Sequence, residues 1–444
     1  MPVTPATSAA MRTWSIRRER PRLRFRGLAL TLAALSPVAC GIDTEPSGGG
    51  PDVVVDTIGD TLVVRTLSGS VWGAEATLVP EAAIGRLDGP EEYLFGRVTS
   101  IAVDDSGRVY VLDDQAQHVR VYDADGVYLE TLGGRGEGPG EFTRAEAMAV
   151  LPDGRLVVRD PGNLRVQVFG PGPGQRNEWT YLSGNFYTTR ALYTDVRGRT
   201  FLFARIRDSS GNLVMHLVVL GPDGTAVDTL PEPSSDFDPP SVRAERTDDE
   251  GNTSSVSSVV PFSPFFNWSV HPSGHFLTGL SGEYRIDLAR GDGVLRIERQ
   301  STPIPVSDAE RDHERESTVR MIRLSIPGWD WDGPSIPRHK PVFKSLLSGR
   351  DGRIWVWLST EAYSVENDDY NPDNPFSAPV SWIEPTRYDV FEPDGTYLGA
   401  VTTPAGFSSY PNPIFEGDHV WAVTRDELGV QRVVRFRIVV GDPE

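Results

Sequence analysis

Hydrophobic positions in this chain alternate with polar positions in short runs, and glycine-containing turns separate the runs. Four such runs follow one another in the first well-patterned region: Ile101–Val103, Arg108–Leu112, Val119–Tyr122 and Tyr128–Leu132. Alternation with a period of two, rich in valine and aromatic residues, is typical of antiparallel strands joined by tight turns. The pattern therefore predicts a four-stranded antiparallel sheet.

The same pattern returns 47 residues later. Ser106–Asp113 reads SGRVYVLD and is repeated at Asp153–Asp160 as DGRLVVRD, and His118–Tyr122 matches Arg165–Phe169 at the same offset. Self-similarity at this period indicates an array of small β units. One such sheet cannot bury both of its faces, so we expect radial repetition that packs each sheet, or blade, against its neighbours.

The turn glycine of the repeat can be followed along the chain. Its copies are Gly107, Gly154, Gly198, Gly274, Gly352 and, in a degenerate form, Gly417. The last unit lacks its own fourth strand, whereas residues 76–85 precede the first unit and have the composition of one. The predicted fold is all-β, a six-bladed β-propeller of four-stranded antiparallel blades, in which residues 76–85 pair with the C-terminal blade and close the ring.

A glycine-rich run between the first two repeats is the most specific motif. Residues 131–142 read TLGGRGEGPGEF, and residues 160–169, DPGNLRVQVF, follow after a further strand and turn. This succession resembles the NHL repeat of six-bladed β-propellers, and the chain resembles bacterial lipoproteins of that type. The resemblance implies the fold. It does not determine the function, because propellers of this kind include lactonases, lyases and pure binding modules.

The first forty residues have the order of an export signal. Seven arginines between residues 12 and 26 precede an apolar run at residues 27–34 and small residues that end at Ala39, which predicts a signal peptide over residues 1–39. Cys40, the only cysteine, resembles the lipidated cysteine of bacterial lipoproteins, although Pro37 stands where leucine is usual. We expect an exported, membrane-anchored lipoprotein, with a soluble secreted protein as the alternative.

Composition sets the remaining boundaries and excludes some partners. Residues 40–52 predict a flexible linker, residues 53–75 an N-terminal strand extension, and residues 76–444 the propeller.

The formal net charge is −19, and it is about −25 without residues 1–39, which carry seven arginines and one glutamate. An acidic body argues against nucleic acid and anionic membrane surfaces as partners. We expect a monomer that meets a membrane only through its lipid anchor.

Three long insertions interrupt the repeat at residues 231–262, 301–341 and 360–384. We label the strands of a blade a to d from the channel outwards. Turns alternate between the two ends of an up-and-down blade, so the insertions should share the face that carries the b-to-c loops and the blade-to-blade crossovers. Insertions of this length usually either cover a functional site or are disordered segments without a role in binding.

Clustered tryptophans stand out in the second insertion. Trp329 and Trp331 lie among prolines and aspartates, and clustered tryptophan is typical of recognition surfaces. A small core packed onto the blade edges explains the pair equally well. Ser307–Met321 has helical composition, with Ser307 as the expected N-cap.

Equivalent positions of the first two repeats supply further residues of the inserted face. His118 and Arg165 occupy the same position near the b-to-c loop, and we expect both to contact a ligand or partner. Asp113 and Asp160 also recur at one position, which favours a structural role in capping the following turn through backbone N–H groups.

Charged residues cluster where the inner strands begin, at the expected mouth of the channel. They are Arg97, Arg144, Glu146, Arg190 and Lys344. Cations there predict an anionic ligand, such as a carboxylate or a sugar acid. The alternative is that Arg190 and Lys344 pair with Glu146 and its neighbours.

A metal site is weakly indicated. Asp369, Asn371 and Asp373 alternate with other residues as the ligands of a calcium loop do. The turn glycine and the closing glutamate of such loops are missing. Calcium is therefore the one cofactor that the sequence suggests, and a solvated loop without a metal is the alternative. Related lactonases ring a central ion with carboxylate and amide ligands, whereas the equivalent positions here are Thr99, Glu146, Arg190, Phe266 and Lys344.

No catalytic residue is predicted from the sequence. We expect a ligand-binding, protein-binding or scaffold module that acts through the inserted face, rather than an enzyme. The alternative is a metal-dependent lactonase- or lyase-like enzyme that acts on a small substrate in the channel.

Overall fold

The computed structural model describes residues 50–172, 174–180, 191–207, 210–368, 370–374 and 376–441. Within them the chain forms a six-bladed β-propeller, as predicted. The signal peptide, Cys40, Arg190 and Asp369 lie outside the described residues. The helix described below lacks the length and apolar character of a membrane-spanning segment, and the described residues contain no other candidate for one.

Three strands precede the first blade: β1 (Asp52–Ile58), β2 (Thr61–Ser68) and β3 (Ala76–Ile84). Blade 1 consists of β4 (Val98–Val103), β5 (Val109–Asp113), β6 (His118–Tyr122) and β7 (Tyr128–Gly133). Blade 2 consists of β8 (Ala147–Val150), β9 (Leu156–Asp160), β10 (Arg165–Phe169) and β11 (Arg176–Thr180). These two blades contain the sequence repeat, and their strands fall where the alternating pattern predicts them.

Blade 3 consists of β12 (Tyr193–Thr194), β13 (Thr200–Arg207), β14 (Leu213–Leu220) and β15 (Ala226–Pro231). The hairpin of β16 (Ser241–Thr247) and β17 (Thr253–Val259) follows it. Blade 4 consists of β18 (Phe266–Val270), β19 (Phe276–Leu280), β20 (Arg285–Arg290) and β21 (Gly293–Arg299), and helix α1 (Asp308–Arg323) follows it.

Blade 5 is interrupted by a second hairpin. It begins with β22 (Phe343–Ser348) and β23 (Ile354–Leu358), and the hairpin of β24 (Tyr363–Glu366) and β25 (Val380–Ile383) comes next. The blade is completed by β26 (Arg387–Phe391) and β27 (Tyr397–Thr402). Blade 6 contains β28 (Phe407–Ser408), β29 (Ile414–Glu416), β30 (His419–Arg425) and β31 (Gln431–Val440).

The fourth strand of blade 6 comes from the N-terminal side of the chain. β3 pairs antiparallel with β31 from Ala76 opposite Val440 to Ile84 opposite Val433. At its start β3 also pairs in parallel with the end of β27. The ring is therefore closed by a strand that lies more than 300 residues from its partner in sequence, at the place that the missing fourth strand indicated.

The hairpin of β1 and β2 extends a different blade. β2 runs parallel to β21, so the two strands become the fifth and sixth strands of blade 4. The N–H groups of Val71 and Trp72 then donate to the carbonyls of Tyr397 and Leu398 in blade 5. The N-terminal segment thus binds the outer edges of two successive blades, 4 and 5, before it completes blade 6.

Candidate functional site

The two ends of the blades carry different structures. We name the end with the b-to-c loops and the crossovers the crossover face, and the opposite end the turn face. The hairpin β16–β17 lies in the crossover from blade 3 to blade 4, and α1 lies in the next crossover. The hairpin β24–β25 lies in the b-to-c connection of blade 5. All three insertions therefore belong to the crossover face.

The first two insertions fold together around a small core of their own. We name β16, β17, α1 and residues 324–342 the cover. Its buried residues are Val242, Ala244, Val260, Ile322, Ile326 and Ile336. Trp329 and Trp331 pack against this core with ring centroids 6.5 Å apart, and Trp331 Nε1 donates to the Pro334 carbonyl at 3.1 Å. The tryptophan pair therefore packs in a small core that the insertions form themselves, rather than on the blade edges. Contact of the pair with a partner stays a prediction.

Buried charges fix the cover to blade 5. Helix α1 begins at its predicted cap, since Ser307 Oγ accepts from the Glu310 N–H at 3.1 Å. The buried Lys340 ammonium lies 2.8 Å from Glu310 Oε1 and 3.3 Å from Glu384 Oε2. The same Glu384 oxygen is 2.7 Å from Lys344 Nζ. Lys344, one of the expected cations of the channel mouth, is thus paired with the connection between β25 and β26.

The other described residues of the expected channel mouth also have partners in the protein. The Arg97 guanidinium donates two hydrogen bonds of 2.6 Å to the Asp114 carboxylate. Glu146 forms a buried ion pair with Arg159 of β9. The Arg144 N–H donates to Asp160 Oδ1 at 2.9 Å. The charges that suggested an anionic ligand are consequently paired at Arg97, Glu146 and Lys344.

The repeated aspartates hold these segments in place. Asp113 is buried and accepts from the N–H groups of Gly96 at 2.7 Å and Arg97 at 3.2 Å, as well as from two N–H groups of its own turn. Asp160 binds the equivalent segment before β8 through the N–H groups of Thr143 and Arg144. Each carboxylate therefore joins a b-to-c turn to the crossover that leads into its blade's inner strand.

Arg165 and His118 occupy equivalent positions but have different surroundings. Arg165 donates to the carbonyls of Gly138 at 2.6 Å and Glu141 at 3.0 Å, and to the Glu178 carboxylate at 3.0 Å. It thereby holds the glycine-rich loop after β7. His118 is half-buried, and burial together with the nearby Arg120 guanidinium lowers its pKa below the ordinary value.

The described part of the acidic loop forms a local turn. Asn371 Oδ1 accepts from the Asp373 N–H at 3.0 Å, and the Asn371 N–H donates to Ser377 Oγ at 3.0 Å. Asp369 lies outside the described residues, and the described ones hold no group of three His, Cys, Asp or Glu side chains arranged to bind a metal. Calcium binding by this loop stays a prediction.

The inner strands of all six blades surround a cavity of about 200 Å³. Its lining includes Thr99 and Glu146 at one end. At the other end it includes Pro272 and Arg350, and these two residues belong to turns of the turn face. Of the expected mouth residues that the structure describes, Glu146 borders this cavity, whereas Arg97, Arg144 and Lys344 do not. The cavity therefore extends from the level of Thr99 and Glu146 towards the turn face, and away from Arg97, Arg144 and Lys344.

A bulge in blade 6 shapes this cavity, and the sequence analysis missed it. Ser408 pairs opposite Val423 and Ile414 opposite Trp421, so residues 409–413 stand opposite one residue of β30. Tyr410, Pro411, Asn412 and Pro413 of this bulge line the cavity. Bulges of this kind redirect side chains and are frequent beside functional sites. The sequence signal was the run YPNP, which interrupts an inner strand.

Exposed apolar side chains are held on the crossover face by the hairpin β24–β25. Tyr363 and Ile383 are directly opposite each other in the hairpin, and they are 52% and 41% exposed. Phe376, in the loop of the same hairpin, and Leu428, in the b-to-c loop of blade 6, are more exposed still. Contiguous exposed apolar side chains are characteristic of interaction sites, and Tyr363 and Ile383 are direct neighbours.

Comparison with known proteins agrees with the fold. Residues 86–158 match the family DUF5128, described as a 6-bladed beta-propeller. No curated protein matches the chain.

Similar solved structures are propeller proteins with low sequence identity. A DUF4221 family member from Bacteroides vulgatus is 10% identical, with a TM-score of 0.44 over 83% of this chain and 99% of that one. The gluconolactonase XC5397 from Xanthomonas campestris is 13% identical, with a TM-score of 0.36 over 81% and 98%. Virginiamycin B lyase from Staphylococcus aureus is 10% identical, with a TM-score of 0.30 over 77% and 95%.

Proposed function

We propose that this protein is an exported binding module, lipid-anchored through Cys40, that binds a protein partner through its crossover face. The fold alone leaves the function open, because propellers carry many unrelated activities. The proposal rests on the exposed apolar side chains of the crossover face and on the contacts that hold their hairpin in place.

The observation that carries the proposal is the exposed pair Tyr363 and Ile383 on a hairpin that departs from the blade pattern. The hairpin is tied to its surroundings at its base, since Thr360 N–H donates to Glu384 Oε1 at 2.8 Å and Glu384 also pairs with Lys340 and Lys344. Apolar side chains on a held element lose little conformational entropy on binding. Tyrosine is moreover among the residues enriched in interface hot spots.

The ion pairs at the channel favour binding over metal-dependent catalysis. A carboxylate that ligates a catalytic metal has its oxygens directed at the ion. Glu146, the one carboxylate among the ring positions of the expected lactonase-like site, is instead buried against Arg159. Lys344, at another ring position, is a cation that pairs with Glu384.

Charge limits the kind of partner. The chain carries a formal net charge of −19, and the exposed hairpin has acidic residues in it or beside it at Glu361, Glu366 and Asp368. A partner surface with apolar residues and a basic rim complements this acidic hairpin, because opposite potentials promote encounter and like charges oppose it. Nucleic acid does not fit, since its recognition requires a positive footprint.

Site-specific photo-crosslinking in the producing cell tests the proposal. A photoreactive phenylalanine analogue replaces Tyr363 in one strain and Val196, an exposed residue of the turn face, in another. We expect one adduct of defined mass from position 363 and none from position 196, and we expect Ile383→Arg to abolish it. Equal adducts from both positions, or an adduct that survives Ile383→Arg, would contradict the proposal.

A further inference from the structure

A second cavity lies on the crossover face, at the junction of blades 6 and 1. Its volume is about 400 Å³, which is within the about 300–1,000 Å³ that is usual for small-ligand sites. Blade 6 contributes the b-to-c loop between β30 and β31, and blade 1 contributes its own b-to-c loop and the segment before β4. The lining residues are Gly96, Arg97, Gln115, Arg425, Gly429 and Gln431.

The two walls of this cavity are joined within the protein. Gln431 Oε1 accepts from the Val98 N–H at 2.8 Å and thereby connects blade 6 to blade 1. Gln115 Oε1 occupies the space that a Cβ on Gly96 would need, so this side chain covers the backbone before β4. The walls are therefore in place before a ligand binds, which lowers the entropic cost of binding.

The lining is cationic although the chain is acidic. Among the described residues that line the cavity are two guanidinium groups, those of Arg97 and Arg425, and no carboxylate. The chain as a whole carries a formal net charge of −19. Both arginines are exposed, and the Arg97 side chain is 66% exposed. A molecule in the cavity can therefore reach both of them.

The two arginines differ in how their charge is compensated. Arg97 donates two hydrogen bonds of 2.6 Å to the Asp114 carboxylate. The Arg425 guanidinium forms no ion pair and no hydrogen bond with any residue that the structure describes. The lining therefore offers one positive charge that the protein leaves uncompensated.

The acidic residues that follow Arg425 do not neutralise it. Asp426 pairs instead with Arg432, whose Nη1 lies 2.8 Å from Asp426 Oδ2. Glu427 is exposed to solvent and does not line the cavity. The guanidinium of Arg425 is consequently available to a ligand.

This charge balance favours a monovalent anion. An arginine fork binds a carboxylate through two parallel N–H···O hydrogen bonds. A dianion would bring a second negative charge close to Asp114 and Asp426, and like charges are unfavourable. The exposed Gln115 amide can donate to or accept from polar atoms elsewhere in the ligand.

We propose that the cavity between blades 6 and 1 binds a small monocarboxylate, whose carboxylate group is held by the Arg425 guanidinium beside Arg97. The carboxylate can belong to a free organic acid or to the C-terminal end of a peptide. Of the channel-mouth cations that predicted an anionic ligand, only Arg97 belongs to this site. The site does not include Tyr363 or Ile383, so this proposal and the proposed partner surface fail separately.

Calorimetry with paired probes tests the inference on the mature chain. The acids are lactate, benzoate and N-acetylalanine, which imitates a peptide end, and each is compared with its neutral amide. We expect at least one acid to bind, its amide to bind at least tenfold more weakly, and inorganic phosphate to bind more weakly than that acid. Added salt should weaken the binding, because the contact is open to solvent. Binding of N-acetylalanine alone would assign the carboxylate to a peptide end.

Substitution of Arg425 separates the site from the rest of the acidic surface. Arg425→Gln should weaken binding about tenfold or more, because a hydrogen bond to a charged group is lost, and it should leave the Tm unchanged. Arg425→Lys should recover part of the affinity, since it keeps the charge but not the fork. Arg246→Gln is the matched control, because Arg246 is an exposed arginine of β16 that does not line the cavity.

Three results would overturn the inference. One is the absence of binding by all three acids at millimolar concentration. Another is an amide or inorganic phosphate that binds as tightly as the best acid. The third is binding that Arg425→Gln leaves unchanged, or that Arg246→Gln weakens to the same extent. Tyr363→Ser should bind the acid like the unaltered protein, and loss of binding in that variant would place the site on the hairpin instead.

Discussion

Lys340 Nζ lies 2.8 Å from Glu310 Oε1, and both side chains are almost fully buried. Glu310 belongs to the first turn of α1, and Lys340 lies just before the first strand of blade 5. The pair therefore joins α1 to the end of the cover that leads into blade 5, at a point where water has little access. Glu384 adds a second carboxylate to the same ammonium at 3.3 Å.

Removing the ammonium should loosen the cover. Lys340→Met leaves Glu310 without its buried cation, whereas Glu384 keeps Lys344. Breaking one side of a buried ion pair costs about 3–5 kcal/mol. We expect much faster amide hydrogen exchange in α1, measured by mass spectrometry, while blades 1 and 2 stay protected. Lys344→Met is the control, because the Lys344 side chain is partly exposed and its loss should have a much smaller effect. Unchanged protection of α1 in Lys340→Met would contradict this role.

Truncation should separate the two parts of the N-terminal segment. A chain that begins at Ser70 lacks β1 and β2, which leaves the edge of β21 open like the outer strands of blades 1 to 3, and we expect it to remain a folded monomer. A chain that begins at Gly85 also lacks β3, so the edge of β31 is unpaired and the ring is open. Exposed strand edges promote association, and light scattering should show oligomers. A stable monomer that begins at Gly85 would refute closure by β3.

Acidification should destabilise the protein in part through His271. Burial lowers its pKa below the ordinary value, while Nε2 lies 2.9 Å from the Gly352 carbonyl and Nδ1 accepts from the Ser273 N–H at 3.1 Å. The unfolded chain then binds a proton at about pH 6.5, where the folded chain does not. The contribution is fully present above that pH and is lost as the pH falls towards the folded pKa.

Urea denaturation between pH 8 and pH 5 measures this effect. His271→Gln should reduce the dependence of unfolding free energy on pH in this range. Part of the slope should remain, because burial also lowers the pKa of His118 and His275. An unchanged slope in the variant would show that His271 does not contribute.

Lipidation should depend on Cys40. Cys40→Ser removes the only thiol of the chain, so a fatty-acid label that enters the protein in a bacterial host should be lost and the protein should leave the membrane fraction. Cys40→Ser protein that still carries the label, or wild-type protein that never acquires it, would contradict the anchor and favour ordinary cleavage of the signal.

The sequence was most informative where the fold repeats a local pattern. The 47-residue offset located blades 1 and 2, and the absent fourth strand of the last unit pointed to β3. The position of β1 and β2 on blade 4 could not be predicted, since the outer strands of blades 1 to 4 offer the same kind of free edge. Pairing with β21 depends on contacts across more than 200 residues of sequence.

Side-chain partners in the insertions were beyond prediction for a related reason. Lys344 was expected near Glu146, but its partner Glu384 comes from the far end of an insertion. The core of the cover likewise brings Val242 of β16 together with Ile322 of α1, and no periodic pattern links those positions. The bulge at residues 409–413 was hidden because it breaks the alternation on which strand prediction depends.

Footprinting with hydroxyl radicals, in cells and on the purified protein, tests the proposed binding face most directly. Tyr363, Phe376 and Leu428 of the crossover face and Val127 and Val196 of the turn face are all exposed, so each should react in the purified chain. We predict that oxidation in cells is lower at the three crossover-face residues and unchanged at the two valines. Equal oxidation at all five positions in both samples, or protection confined to Val127 and Val196, would contradict binding through the crossover face.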